Sequence, residues 1–261
     1  MKSIRSILAC AICMALPLSS YAQQKEEPVA SPWAFTLGAK AWVNTWTSWE
    51  ITRVQSGGSS LQAITPVSAS PEVAFMPLAS MRYQRVFITA SAMSETEYAL
   101  ENSLVSRTGL RSEADVNIGY DVLPGLSLSA GYKQLTQDVG GEYKWSGPTL
   151  AFSVSAPLQS GLSVYGTYGM GWMTVSLPSP DASGATSLDA DYTLSEFGLA
   201  YSLGREQVGG FMGLTFTFGY RAQTVRTREY ALSSLPSGIV YAKDDPRDYT
   251  QGFTFSVIGS F

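Results

Sequence analysis

From residue 33 to residue 261 the chain keeps returning to a hydrophobic period of two, the period of a β-strand whose faces meet different surroundings. In EADVNIGYDV, Ala114, Val116, Ile118, Tyr120 and Val122 share one face, with Glu113, Asp115, Asn117, Gly119 and Asp121 on the other. After the turn signal LPG, the run LSLSAGYK sets Leu126, Leu128, Ala130 and Tyr132 against Ser127, Ser129, Gly131 and Lys133. Ten such segments follow one another, at about 33–49, 72–84, 86–97, 111–122, 126–136, 144–156, 162–175, 190–203, 208–223 and 248–261. Each reaches the roughly 9–11 residues that a tilted strand needs to cross a bilayer.

The connections divide into two kinds. Those near Gln84, at Leu123-Pro124-Gly125, at 157–161 and at 204–207 are short. Those at 50–71, 98–110, 176–189 and 224–247 are long, with 137–143 the exception. Residues 54–60 (VQSGGSS) and 177–187 (LPSPDASGATS) have the Ser, Gly and Pro content of exposed loops. No composition shift divides the chain, so residues 33–261 read as one domain.

Residues 1–22 read as a secretory signal peptide: Lys2 and Arg5, then ILACAICMALPL, then Ser20-Tyr21-Ala22 as a cleavage site after about Ala22. Residues 23–32 would form a short periplasmic segment. Both cysteines, Cys10 and Cys13, leave with the signal, which excludes disulfides and cysteine-based metal sites from the mature chain. Without Lys2 and Arg5, 15 basic residues face 21 acidic ones, a net charge of −6. That balance gives no footing for nucleic acid, and nothing calls for a metal or cofactor.

A soluble β-sandwich also alternates, so alternation alone leaves two classes open. Short turns on one side, long loops on the other, an even strand count and an export signal favour a closed antiparallel transmembrane β-barrel of about ten strands, with eight or twelve as alternatives. Trp33, Trp49, Tyr83, Trp145, Trp172, Tyr201, Tyr220 and Tyr249 sit near strand ends, where aromatic girdles form at membrane interfaces. Gly119, Gly131, Gly169, Gly171, Gly213 and Gly219 lie on the polar face and suit a narrow lumen.

With these features the chain resembles bacterial outer-membrane β-barrel proteins. The resemblance implies that the final strand GFTFSVIGSF, with Phe253, Phe255, Val257 and Phe261 in step, serves as the signal read by the barrel-assembly machinery. It also implies contact with outer-membrane lipid and lipopolysaccharide, and location in the cell outer membrane of a Gram-negative bacterium. The ten-stranded members include the omptin proteases, whose site requires an Asp-His pair. This sequence contains no histidine, which removes that site and any Ser-His nucleophile. Asp189 with Asp191 and Asp244 with Asp245 remain as acid pairs for a rim enzyme, although such pairs in loops are much more often just solvated charge, and the expectation is that the chain is not an enzyme.

Lys40, Arg82, Glu113, Asp115, Lys133, Glu196 and Arg221 share inward parity in their strands. A turn at LPG that pairs Val122 with Leu126 places Asp115 opposite Lys133. Such charges could make a constriction that selects small solutes or a salt-bridge plug that stiffens the barrel. Ten strands lie near the limit at which side chains fill the interior, so a large unselective pore is not expected. Three functions follow: a narrow channel for small solutes, towards which the lumen charges and glycines lean; a structural or surface-interaction barrel with a plugged lumen; and a rim enzyme.

Overall fold

The computed structural model describes residues 32–56, 59–102, 106–208, 212–235 and 237–261. The expected signal peptide and most of the segment after it lie outside the described residues. Thirteen strands follow in chain order: β1 (Trp33–Ser56), β2 (Ser59–Ala69), β3 (Glu72–Tyr83), β4 (Val86–Glu101), β5 (Ser106–Leu123), β6 (Leu126–Asp138), β7 (Glu142–Gln159), β8 (Leu162–Ser176), β9 (Ser187–Leu203), β10 (Gly213–Thr227), β11 (Tyr230–Leu235), β12 (Ile239–Asp244) and β13 (Arg247–Ser260). Ten of them close an antiparallel barrel in the order β1-β3-β4-β5-β6-β7-β8-β9-β10-β13, and β13 returns to β1 from Thr36↔Ser260 to Thr47↔Tyr249. Closure gives every barrel strand a partner on each side, as a bilayer demands.

These ten strands are the ten alternating segments. The segment expected at 208–223 begins later, at Gly213, because Arg205–Val208 turn into a short 3-10 helix. The loop expected at 98–110 shrinks, since β4 runs to Glu101 and β5 starts at Ser106. Tight turns on the presumptive periplasmic side use left-handed glycines at Gly125 (φ 78°) and Gly161 (φ 76°), where a side chain would be strained.

The stretch 50–71, expected as a loop, is instead a hairpin. Upper β1 changes partner from β3 to β2 and pairs from Thr47↔Ser68 to Ser56↔Ser59. The expected loop 224–247 likewise contains the hairpin β11–β12. This second hairpin leaves the barrel between β10 and β13, on one side of β1. It nevertheless pairs with the edge of β2 that faces away from β1, at Ser234↔Leu61 and Leu235↔Ser60. Tyr230, Ala231 and Leu232 are buried along the way, so the hairpin crosses the outer mouth as a strap.

The barrel's exterior is apolar, as the alternation requires: Val116, Ile118, Leu128, Tyr132, Phe197, Phe218, Phe253 and Phe255 all stand exposed. A band of this kind is a lipid-facing surface, far beyond the patch a soluble monomer shows to water. Trp33, Tyr83, Trp172, Tyr201 and Tyr249 point outward near strand ends as expected of a girdle, and Tyr220 is half-buried. Trp49 and Trp145 do not belong to it. Both are buried, Trp145 at 1% exposure, in clusters within the barrel and under the strap.

Candidate functional site

The interior is built in levels, because each strand presents every second residue inward. Nearest the short turns many of those positions are small and polar: Ser80, Thr89, Ser91, Asn117, Ser129, Ser153, Thr167, Thr217 and Ser256. They surround two adjoining cavities of about 250 and 430 Å³, which share Thr89, Ser91, Asp115, Thr167, Leu194 and Arg221 in their walls. The Phe87 ring occupies the space beside Gly119, where an added Cβ would come within 2.2 Å of it. Arg82 pairs with Asp121 beside it, and its guanidinium lies 5.2 Å from the Phe87 ring centre.

Above this cup lies a layer of charge. Lys40 Nζ donates to both oxygens of Glu196, at 2.7 and 2.9 Å. Arg221 donates to Glu196 at 3.3 Å and stands 3.9 Å from Glu113. Glu113 also takes Lys133 at 2.6 Å and Arg111 at 2.8 Å, and accepts from the Gln223 amide. Asp115 is opposite Lys133 in register, as the turn predicted. Their ion pair is long, 3.8 Å, because Lys133 reaches diagonally to Glu113 and Asp115 is held by Ser91 and Asn117. The turn itself differs from expectation: a bulge at Val122 shifts the last pair to Leu123↔Leu126.

All seven sequence candidates therefore face the interior. Lys40, Glu113, Asp115, Lys133, Glu196 and Arg221 meet in one network, while Arg82 stands apart with Asp121 near the inner rim. Sequence reasoning missed Arg111, which is 1% exposed, although its parity with Glu113 in the same strand was available. It also missed Asp248, whose two oxygens accept the indole N–H groups of Trp46 (3.2 Å) and Trp49 (3.0 Å). Gln137, oriented so that both its amide groups are satisfied, joins Asp248 (3.0 Å) to Arg111 (2.7 Å).

The outer half of the lumen corrects the expectation of a polar interior. Trp42, Met76 and Met93 form one cluster; Trp46, Val67, Tyr98 and Leu100 another; Leu135, Trp145, Met173, Val175, Tyr192 and Val225 a third. The aromatic rings rest on the charged layer beneath them. Arg221 lies 5.0 Å from the Trp42 ring, Arg111 5.6 Å from Trp46 and Lys133 5.3 Å from Tyr192. These cation–ring contacts help to offset the removal of the cations from water. In β4 a bulge between Met93 and Thr96 reverses the inward parity, and so Tyr98 and Leu100 point into the barrel. Upper β4 thereby escaped a reading based on simple alternation.

Side chains from opposite walls meet across the diameter. β5 and β10 stand five places apart in a ring of ten, yet Glu113 touches Arg221 and Gln223. β1 and β7 are also opposite, and the rings of Trp49 and Tyr143 meet at 5.3 Å. Over them the strap seats Tyr230 and Leu232 against Trp49. Asp181, in the connection after β8, fastens the strap: it accepts from Ala231 N at 3.0 Å, and from Ser183 N, Ser183 Oγ and Ala185 N.

The rim acids are engaged in structure. Asp191 pairs with Arg228, Asp245 with Arg226, and Asp245 also accepts from Glu229 N at 2.7 Å. Asp244 accepts from Asp245 N, while Asp189 contributes its backbone carbonyl, which accepts from Arg228 N at 2.8 Å. The final strand sets Phe253, Phe255 and Val257 on the lipid face, and Phe261 exchanges backbone hydrogen bonds with Phe35.

Comparison with known proteins gives a match to the OmpA-like transmembrane domain over residues 93–206. No curated protein matches the chain. Among solved structures, the outer membrane protease OmpT of Escherichia coli aligns at 11% identity and a TM-score of 0.47, covering 90% of this chain and 99% of that one. A Pseudomonas aeruginosa FadL homologue aligns at 7% identity and 0.36, covering 87% of this chain and 90% of that one. The Pseudomonas putida toluene transporter TodX aligns at 12% identity and 0.32, with 90% of each chain covered. With its closed sheet, apolar exterior and this domain match, the chain is an antiparallel β-barrel of the Gram-negative outer membrane.

Proposed function

We propose that this barrel is closed to through-flow and acts as a structural or surface-interaction protein, its working surface being the strapped sheet at the outer mouth. One observation carries the reading: side chains from opposite walls touch at two heights, Glu113 with Arg221 and Gln223, and Trp49 with Tyr143. A solute-selective constriction needs charges that face an aqueous path. Here Glu113, Arg111 and Lys133 are at most 4% exposed, and packed rings lie above them. Of the readings open to the sequence, this geometry favours the plugged barrel over the narrow channel.

The proposal includes no catalytic role. Asp191 and Asp245 are neutralised by arginines that also shape the base of the strap, which supports a structural use of the rim acids. Export with cleavage after about Ala22, contact with lipid and lipopolysaccharide, and delivery through the barrel-assembly machinery belong to the same proposal. The deciding measurement is conductance of the pure folded protein in planar bilayers. A flat baseline is expected; discrete openings would remove the plugged reading and return the channel to first place.

A further inference from the structure

Beneath the plug the cup is blind, and its walls carry many hydroxyls among small apolar side chains such as Ala79, Ala151 and Leu194. Among the described residues, the hydroxyls of Ser80, Thr89, Ser129 and Thr149 take no hydrogen bond from the protein, although all four line the cavities. Other hydroxyls on the same wall are already paired, Ser153 with Thr167 at 2.9 Å and Ser91 with Asp115 at 2.8 Å. The unpaired ones can each donate and accept. Each cation of the roof is held by a carboxylate, Lys40 and Arg221 by Glu196, and Lys133 and Arg111 by Glu113. The larger cavity, about 430 Å³, falls within the roughly 300–1,000 Å³ of small-molecule sites. Phe87 lines the smaller cavity, with Gly119 against its ring and the Arg82 guanidinium 5.2 Å from the ring centre.

We infer that the cup binds a small uncharged saccharide of one or two rings, entering from the periplasmic side. Hydroxyls that both donate and accept suit a ligand made of the same groups. A charged solute gains little here: every cation in the roof is already held by a carboxylate, and separating them would leave a buried charge unpaired. The inference rests on the plugged reading only in treating the cup as blind.

The test uses the full-length mature protein in an amine-oxide detergent, so that no sugar headgroup competes, with maltose as probe and saturation-transfer difference NMR as readout. Saturable millimolar binding of maltose is expected, with taurine and glutarate giving none. Thr89→Val and Ser129→Ala remove a hydroxyl at nearly constant volume, and each should weaken maltose binding about 3- to 10-fold. The lipid-facing Val116→Ala should leave binding unchanged, and heat-modifiable migration verifies that every variant is folded. Failure to bind maltose at 100 mM on the order used for weak ligands, binding unaffected by the two hydroxyl variants, or a preference for taurine or glutarate would each overturn the inference. None of these results alters the conductance expected of a plugged barrel, so the two claims fail separately.

Discussion

Glu113 is the residue on which the interior turns, because three cations depend on one carboxylate that is almost wholly out of water. Glu113→Gln keeps the shape and removes the charge, leaving Lys133 and Arg111 buried without their partner. Loss of about 3–5 kcal/mol is expected from breaking such an arrangement, measured by urea unfolding in lipid vesicles with tryptophan fluorescence. Lys243→Ala, by contrast, breaks only an exposed pair with Glu229 at the strap and should leave the unfolding midpoint unchanged. Asp181 gives a pH dependence with a definite sign. Burial pushes its carboxyl upward, but hydrogen bonds from the Ser183 hydroxyl and from the backbone of Ala231, Ala185 and Ser183 outweigh this and hold it below the usual carboxylate value. Its contribution is therefore complete above the unfolded value, about 3.9, and fades as pH falls through the lower folded value. Hydrogen exchange at Ala231, corrected for the intrinsic rate, should be slow at pH 5 and faster towards pH 2; in Asp181→Asn the protection should already be reduced at pH 5.

Among the elements, both the strap and the barrel strands contribute to the proposed plug. β11 and β12 cover the mouth, but Trp46, Trp145, Leu135 and Glu113 come from barrel strands beneath it. Replacing residues 230–245 with a short Gly-Ser turn should accordingly leave a heat-modifiable barrel that still shows no conductance in planar bilayers. Openings in that variant would place the seal in the strap alone. Trp46→Ala should cost about 3–5 kcal/mol, since it empties a filled site between Tyr98 and Leu100 and takes one indole N–H from Asp248. The same elements show where sequence reasoning stops. Strands of the lower barrel were legible because lipid lies on one face and hydroxyls on the other. Upper β1, β2 and β11 were not, since Trp49, Ile51, Ile64 and Leu232 pack against other parts of the chain and leave no clean alternation.

For the whole molecule, the distribution of surface predicts behaviour outside detergent. With Val116, Ile118, Phe197, Phe218 and Phe253 all facing outward, the folded barrel should sediment once detergent is withdrawn and stay dispersed when lipid replaces it. A soluble monomer in buffer would contradict the assignment of faces. The alternation of residues along ten segments, taken with the short turns, the long loops and the export signal, determined the barrel class and the inward parity of Lys40, Glu113, Lys133, Glu196 and Arg221. Those are local consequences of one repeat distance and of hydrogen bonds that lipid leaves the chain to satisfy. Whether the centre is open was decided only by the tertiary structure. The answer depends on which residues of opposite walls come level, on bulges such as that at Met93–Thr96, and on a hairpin that crosses the mouth. Such distances across a closed ring join residues as far apart in the chain as Glu113 and Gln223, and no periodicity along the strands records them.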